Sequence, residues 1–179
     1  MRARFHSIGL TRNIQLMEDA METIRFDDIE KLRSKISDQF GPWSKPIAVT
    51  QERINQFADV TGDHQWIHVD IERAKRESPF GGPVAHGFLT LSLIPALTTF
   101  DDSAAAWKVS GYRNVVNYGA NKLRFAQPVP AGASVHARSR VIAVEPRPQG
   151  TQVTLEIHIH VVGQERPAVI YESLMLYVK

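Results

Sequence analysis

A run of apolar residues between Ala85 and Phe100 is the feature that most limits the folds open to this chain. At helical spacing its large side chains would point to nearly every side of a helix: Phe88, Leu89, Leu91, Leu93, Ile94 and Leu97. A helix that is apolar all round has to be covered on most of its circumference. The run is too short for the roughly 20 residues of a membrane span. The sequence therefore predicts a helix over 85–100 that the rest of the protein buries.

Pro95 lies inside this predicted helix. Proline lacks an amide donor and clashes with the preceding helical turn. We therefore expect a bend or a shift of register near Leu91. Gly87 lies well before that point, so the first turn should keep regular geometry.

Two shorter helices are predicted upstream. Thr50 is a suitable N-cap, and apolar residues follow it at helical spacing as far as Gly62, a residue that often ends helices. A second helix can begin at Asp70 and continue to Glu77, because Ser78-Pro79 then stops it. The segment 63–69 is therefore predicted to be a connecting loop.

Asp63 and His68 flank that loop. On one continuous helix, five residues at about 100° each would place the two side chains roughly 140° apart. They can share a pocket only because the helix is expected to end near Gly62. A carboxylate and an imidazole in one pocket form a pair suited to general acid and base catalysis.

The remainder of the chain is rich in strand signals. Alternating patterns and Pro/Gly turns predict strands over 45–50, 115–125, 135–144, 151–162 and 168–178. A surface helix over 26–40 should precede them, since Phe26, Ile29, Leu32, Ile36 and Phe40 recur every three or four residues. One buried helix followed by successive antiparallel strands favours the α+β class over a parallel doubly wound sheet.

Composition indicates one domain in a chain of 179 residues with 43% hydrophobic residues. We interpret 1–20 as an N-terminal tail, disordered or vector-derived, since Met17 and Met21 could each be the natural start. The single domain is then 21–179. The sequence contains no cysteine, which excludes disulfides and thiol nucleophiles and suits the cytoplasm. Its scattered basic residues and net charge of +2 argue against a nucleic-acid partner, and its N-terminus lacks the apolar core typical of a signal peptide.

Other candidate residues are weaker. His158 and His160 share one face of a predicted strand, and we expect a solvated face there and no metal site. His64 and His86 are expected to be structural. Lys122 and Arg124 share a strand face and could bind phosphate groups, although ordinary surface charge explains them equally well.

Taken together, these residues resemble the MaoC-like dehydratase family, which includes the (R)-specific enoyl-CoA hydratases (hydratase 2) and nodulation protein N. The resemblance spans Ile47 to Val178 and rests on three motifs. Phe57, Gly62-Asp63, Ile67 and His68 match the hydratase signature, and AHGF (85–88) and LRFAQPVPAG (123–132) match further family segments. The chain departs from many hydratases at Gln65 and Trp66, where those have Asn and Pro.

The resemblance implies a hot-dog fold, in which an antiparallel sheet wraps around a long helix, and a homodimer. It implies that Asp63 and His68 hold and polarise the water that is added to a trans-2-enoyl-CoA, giving a (3R)-3-hydroxyacyl-CoA, or the reverse dehydration, within fatty-acid metabolism. The Gly87 backbone N–H is implied as the donor to the developing enolate oxygen, and the missing side chain would let the thioester approach. Lys122 and Arg124 could contact the phosphates of coenzyme A, which is present only as part of the substrate. No metal, other cofactor or membrane is implied.

Two alternatives remain open. A hot-dog thioesterase would direct a carboxylate and water at the thioester carbonyl, although the Gly-Asp and His motif argues against it. A non-catalytic protein would bind an acyl-CoA or acyl-carrier thioester without turnover.

Overall fold

The structure, a computed structural model, describes residues 22–98 and 107–179. Its strands are β1 (Glu22–Arg25), β2 (Ile47–Ala48), β3 (Trp107–Ser110), β4 (Asn114–Phe125), β5 (Ser134–Arg147), β6 (Gly150–Val161) and β7 (Val169–Val178). Its helices are α1 (Ile29–Arg33), α2 (Gln51–Thr61), α3 (Trp66–Val69), α4 (Ile71–Glu77), α5 (Gly87–Ser92) and α6 (Ile94–Leu97).

Five strands form an antiparallel sheet in the order β2-β5-β6-β7-β4. Side chains alternate between the two faces of a strand. Ile157 and Ile159 of β6 therefore point to the inner face, where the helices pack, and His158 and His160 point to the outer face. This arrangement confirms the α+β class.

Two apolar clusters fill the inner face of the sheet. The first joins α2, α5 and α6 to the sheet through Ile54, Leu89, Leu97, Ile157, Ile159 and Val169. The second joins β1 and α1 to the sheet through Ile24, Phe26, Leu32, Val141, Val153 and Tyr177. Helices α2, α5 and α6 therefore cover one part of the inner face, and β1 and α1 cover another part. The parallel pairing of β1 with β3 was not predicted.

The helix predicted over 85–100 is wrong in its length and in its burial. It is split at Leu93 into α5 and α6, with Pro95 in the first turn of α6. The break confirms the disruption expected from Pro95. Leu89 is buried but Phe88 is 63% exposed, because the sheet covers only one side of α5. Residues 99–106 lie outside the described residues.

The helix predicted over 26–40 is also wrong, because only α1 forms. Asp28 caps it by accepting a hydrogen bond from the Lys31 amide. The chain beyond it runs along the edge of β5, where the Gly41 N–H donates to the Ser139 carbonyl at 2.9 Å. Backbone pairing with a sheet edge has overridden a helical pattern that is local to the sequence.

The same edge segment corrects the expectation for His158 and His160. The ring of Phe40 lies 4.5 Å from that of His158, and the ring of Trp43 lies 4.9 Å from that of His160. His160 is only 2% exposed. This strand face is therefore covered by aromatic side chains and is not solvated.

The predicted tail, 1–20, lies outside the described residues. Among the residues that are described, no helix is both long enough and apolar enough to cross a lipid bilayer.

Candidate active site

The end of α2 brings Asp63 into the site. Thr50 caps the start of α2 through its hydroxyl, and Gly62 ends the helix in a left-handed conformation with φ of 77°. Glycine adopts such a conformation without steric cost. The predicted helix over 50–62 is confirmed, and Asp63 is the first residue beyond it.

The segment 63–69 is only partly the loop that was predicted. Gln65 precedes the single turn of α3, and the guanidinium of Arg73 covers the ring of Trp66 at 4.4 Å. This turn carries His68 into the interior, where it is buried. The Gln65-Trp66 pair that departs from the hydratase pattern therefore begins the helix that positions His68.

The tautomer of His68 follows from its hydrogen bond. Its Nδ1 lies 2.6 Å from the Val84 carbonyl oxygen. A carbonyl can only accept, so Nδ1 carries the hydrogen and Nε2 of the neutral ring is left as an acceptor. Burial lowers the pKa of His68, with the Val84 carbonyl opposing that shift and the neighbouring His86 adding to it. The ring is therefore suited to accept a proton at Nε2.

The segment Pro83–Ala85 connects α3 to the turn after β4. The Val84 N–H donates to the Ile67 carbonyl at 3.1 Å, and the Ala85 N–H donates to the Val129 carbonyl at 2.8 Å. The Ala131 N–H donates in turn to the Pro83 carbonyl at 2.9 Å. The LRFAQPVPAG turn therefore fixes the residues that lead into α5.

Gly87 is the first residue of α5, where a backbone N–H has no partner within the helix. A Cβ atom at this position would lie 2.8 Å from Cδ1 of Phe125. The space freed by the missing side chain is thus occupied by an aromatic ring. The sequence had suggested a thioester in that space.

Asp63, His68 and Gly87 line one cavity of about 200 Å³. A carboxylate oxygen of Asp63, a ring nitrogen of His68 and a ring nitrogen of His86 lie within 4.8 Å of one another. Asp63 is exposed while His68 is buried, so the cavity runs from solvent to the interior. Its full lining is Phe57, Thr61, Asp63, His68, His86, Gly87 and Phe88. The structure therefore brings the three predicted catalytic positions together.

His86 is the site residue that the sequence analysis missed. It is 3% exposed, its ring centroid lies 3.8 Å from that of His68, and its Nε2 lies 2.8 Å from the Asp63 carbonyl oxygen. The sequence signal that could have identified His86 as a site residue was its position immediately before Gly87. Asp63, His68 and His86 also have the residue types of a metal site. Nε2 of His86 must carry a hydrogen to donate to that carbonyl, so the lone pair of the neutral ring lies on Nδ1.

A second, more apolar cavity of about 370 Å³ adjoins the first and shares His68 and Gly87 with it. Its further lining includes Phe80, Val84, Thr90, Phe125 and Val169. The rings of Phe88 and Phe125 meet edge to face at 5.3 Å beside Gly87. The polar cavity and the apolar cavity thus meet at His68 and Gly87, two of the predicted catalytic positions.

Lys122 and Arg124 do not line either cavity. Both are exposed on β4, and alternation places them on the face opposite Leu123, which packs in the core. Lys122 lies 3.9 Å from Glu172. His64 also lies outside the cavities, paired with Asp59 at 2.8 Å on the surface, as its structural interpretation implies.

Comparisons with known proteins identify the family of this chain. A model of the MaoC-like domain matches residues 38–162. The chain is 43% identical over 154 residues to 3-hydroxyacyl-thioester dehydratase Z of Mycobacterium tuberculosis, covering 86% of this chain and 97% of that protein. It is 41% identical over 138 residues to nodulation protein N of Rhizobium leguminosarum bv. viciae, covering 75% and 81%.

Solved structures show the same fold. A monoamine oxidase regulatory protein from Archaeoglobus fulgidus matches with a TM-score of 0.66 and 25% identity, covering 89% of this chain and 98% of that one. An (R)-hydratase from A. caviae matches with a TM-score of 0.59 and 24% identity, covering 78% and 97%. The chain belongs to the MaoC-like family and has the hot-dog fold.

The contact between Gly87 and Phe125 can be tested by substitution. We expect Gly87→Ala to destabilise the protein by about 1 kcal/mol, at the low end for overpacking, because the Phe125 ring is exposed enough to move. In a Phe125→Ala background the penalty should vanish. Urea unfolding measures both values. Gly82→Ala, with no neighbour within 4 Å of its added Cβ, is the matched control and should be neutral. An equal penalty in both backgrounds would contradict the contact.

Proposed function

We propose that this protein hydrates trans-2-enoyl-CoA to (3R)-3-hydroxyacyl-CoA and catalyses the reverse dehydration. The observation that carries the proposal is the single cavity that Asp63, His68 and Gly87 line together. The 43% identity to a protein named as a 3-hydroxyacyl-thioester dehydratase supports a thioester substrate. The (3R) configuration and the CoA carrier come from the family resemblance.

The proposed chemistry uses one water and one proton relay. The Asp63 carboxylate accepts a hydrogen bond from the water and orients it, and Nε2 of His68 takes its other proton. The hydroxide oxygen then bonds to the β-carbon, and the electrons of the double bond move onto the thioester oxygen as an enolate. The Gly87 N–H stabilises that oxygen. His68 finally returns the proton to the α-carbon, so one water has been added.

The substrate can be accommodated on both sides of Gly87. We place the reacting enoyl group at the polar cavity and apolar parts of the thioester in the adjoining cavity of about 370 Å³. The phosphates of coenzyme A are assigned to Lys122 and Arg124, which are exposed on the strand that also carries Phe125. The Phe125 ring has to move for a thioester to occupy the space left by the missing side chain of Gly87.

Asp63→Asn and His68→Gln test the catalytic pair. Each keeps approximate shape and removes proton transfer or water polarisation, so each should lower kcat by about 10² to 10⁴. The double variant should lose little more than the worse single one, because a water that is no longer held cannot be activated. Loss of enoyl absorbance with trans-2-enoyl-CoAs from C4 to C16 measures the rates.

Four outcomes would each contradict part of this assignment. Wild-type hydration by either single variant would remove the pair from the mechanism. Release of free thiol in place of hydration would favour the thioesterase, and tight binding without turnover would favour the acyl-thioester binding protein. A (3S) product would keep the hydratase class but overturn the substrate orientation.

The pH dependence tests the role of His68 as a base. His68 must be neutral to accept a proton, so kcat/KM should fall as the pH drops through its pKa. Burial lowers that pKa below the ordinary 6.5, so the acid limb should lie below pH 6.5 and be absent in His68→Gln. The surface residue His64 has the opposite shift, since Asp59 raises its pKa. A limb above 6.5 that His64→Gln abolishes would contradict the assignment.

We propose that the reaction uses no metal and no cofactor beyond the CoA of the substrate. The support is the family resemblance, in which Asp63 and His68 activate the water without a metal. Activity should therefore survive incubation with EDTA followed by gel filtration. Loss of activity that zinc restores, with metal analysis showing one ion per chain, would contradict this part of the proposal.

We also propose a homodimer that forms through β4. Within residues 22–98 and 107–179, this strand pairs with β7 on one side only, and its other edge is longer than that of β2 at the opposite end of the sheet. It carries the exposed residues Val116 and Tyr118 and ends at the exposed Phe125, whose ring contacts that of Phe88. A long edge strand with unpaired backbone groups can pair with another chain, and a second copy can do so around a twofold axis.

A charge on this edge tests the dimer. We expect Val116→Lys to increase the monomer fraction, because a lysine on an edge strand opposes pairing. Sedimentation equilibrium measures the change. Val162→Lys, at an exposed apolar residue in the turn after β6, should leave the dimer intact. A monomeric wild-type protein at micromolar concentration, or equal effects of the two changes, would contradict the β4 interface.

A further inference from the structure

His86 contacts both members of the proposed catalytic pair, yet the reaction as described gives it no role. Its ring lies against that of His68, with centroids 3.8 Å apart, and its Nε2–H donates to the main-chain carbonyl of Asp63 at 2.8 Å. Its Nε2 is 4.0 Å from the Asp63 carboxylate. Phe57 of α2 packs on the same ring at 5.1 Å.

We propose that His86 is a positioning residue that holds Asp63 at its working distance from His68 and from the Gly87 amide, acting through its Nε2–H. This inference rests on the proposed hydratase function. It differs from a general packing role because it assigns the effect to one hydrogen bond.

The other contacts of Asp63 are too weak to fix its position. Its amide is 3.4 Å from the Thr61 hydroxyl, and its carboxylate accepts from the Gln65 amide at 3.4 Å. Its side chain is 53% exposed. The bond from His86 is therefore the shortest hydrogen bond that Asp63 makes within the described residues, and it comes from the side of the cavity that holds the catalytic groups.

His86 also links the Asp63 loop to the start of α5. It occupies the N-cap position, and its carbonyl accepts from the Thr90 amide at 3.1 Å. Gly87 follows it directly. One residue thus holds the Asp63 loop by its side chain and the Gly87 amide by its backbone. A change in its side chain should shift the loop relative to the amide and leave the helix in place.

The two ring nitrogens of His86 suggest a matched pair of variants. Nε2 is bonded to Asp63, whereas Nδ1 is buried without a hydrogen-bond partner among the described residues. The amide of a glutamine reaches the position of Nε2, and the amide of an asparagine reaches only that of Nδ1. His86→Gln and His86→Asn therefore differ by one methylene and by the ability to donate to the Asp63 carbonyl.

We expect His86→Gln to keep kcat within about threefold of wild type and His86→Asn to lower it by about 10- to 100-fold, the scale of a 1 Å misplacement. KM should change little in either, since binding of the thioester does not use this bond. Adding His86→Asn to Asp63→Asn should cost nothing further. Steady-state hydration of a trans-2-enoyl-CoA supplies the rates, thermal melting checks the fold, and the surface variant His64→Asn is the control.

Wild-type kcat in His86→Asn would overturn the inference, as would equal losses in the two amide variants or an additive loss with Asp63→Asn. If His86→Asn does not fold, His86→Phe replaces it, because it keeps an aromatic ring and lacks the N–H. Full activity of both Asp63→Asn and His68→Gln would instead overturn the proposed function, and the inference with it. Loss of activity in those two with wild-type kcat in His86→Asn would overturn the inference alone.

Discussion

The backbone of Val84 is the connection on which the arrangement of the site depends. Its carbonyl accepts from Nδ1 of His68 and thereby sets the tautomer of the ring, while its N–H donates to the Ile67 carbonyl and fixes α3. The residues on either side of Val84 bond to the turn after β4. Main-chain groups therefore hold together the imidazole, the start of α5 and the sheet. These groups remain when a side chain in the segment is substituted. A carbonyl in this role also keeps Nε2 free for the reaction without a carboxylate behind the histidine.

The sequence predicted the parts of the fold and site that depend on nearby residues. The helix over 50–62 has an N-cap at Thr50 and a left-handed end at Gly62, and both signals lie within the segment they define. The break at Pro95 likewise follows from the chemistry of one residue. Asp63, His68 and Gly87 were found because motif order and spacing identify them together, and each would have been ambiguous alone. The structure shows that they share a cavity.

The failures concern contacts between distant parts of the chain. The pattern over 26–40 is helical in spacing, but the edge of β5 offers unpaired backbone groups that a local pattern cannot reveal. The same segment brings Phe40 and Trp43 over the outer face of the sheet, which buries His160. His86 was overlooked because its partners, Asp63 and His68, lie about 20 residues away in the sequence. Hydrophobic periodicity predicts local structure and does not report contacts at that separation. The parallel partner of β1 is similarly remote.

The break at Leu93 divides the apolar run into two short helices, and only the first of them carries Gly87. With α5 only six residues long, the field at Gly87 comes chiefly from the nearest amides and very little from a long aligned dipole. The stretch after Leu93 is consequently not required to be straight, long or in phase with the first turns. Substitutions there can reshape the interior around α6 while the amide of Gly87 stays where the loop and sheet hold it. The residues after Leu93 can thus change in size without altering the geometry that the proposed chemistry needs at Gly87.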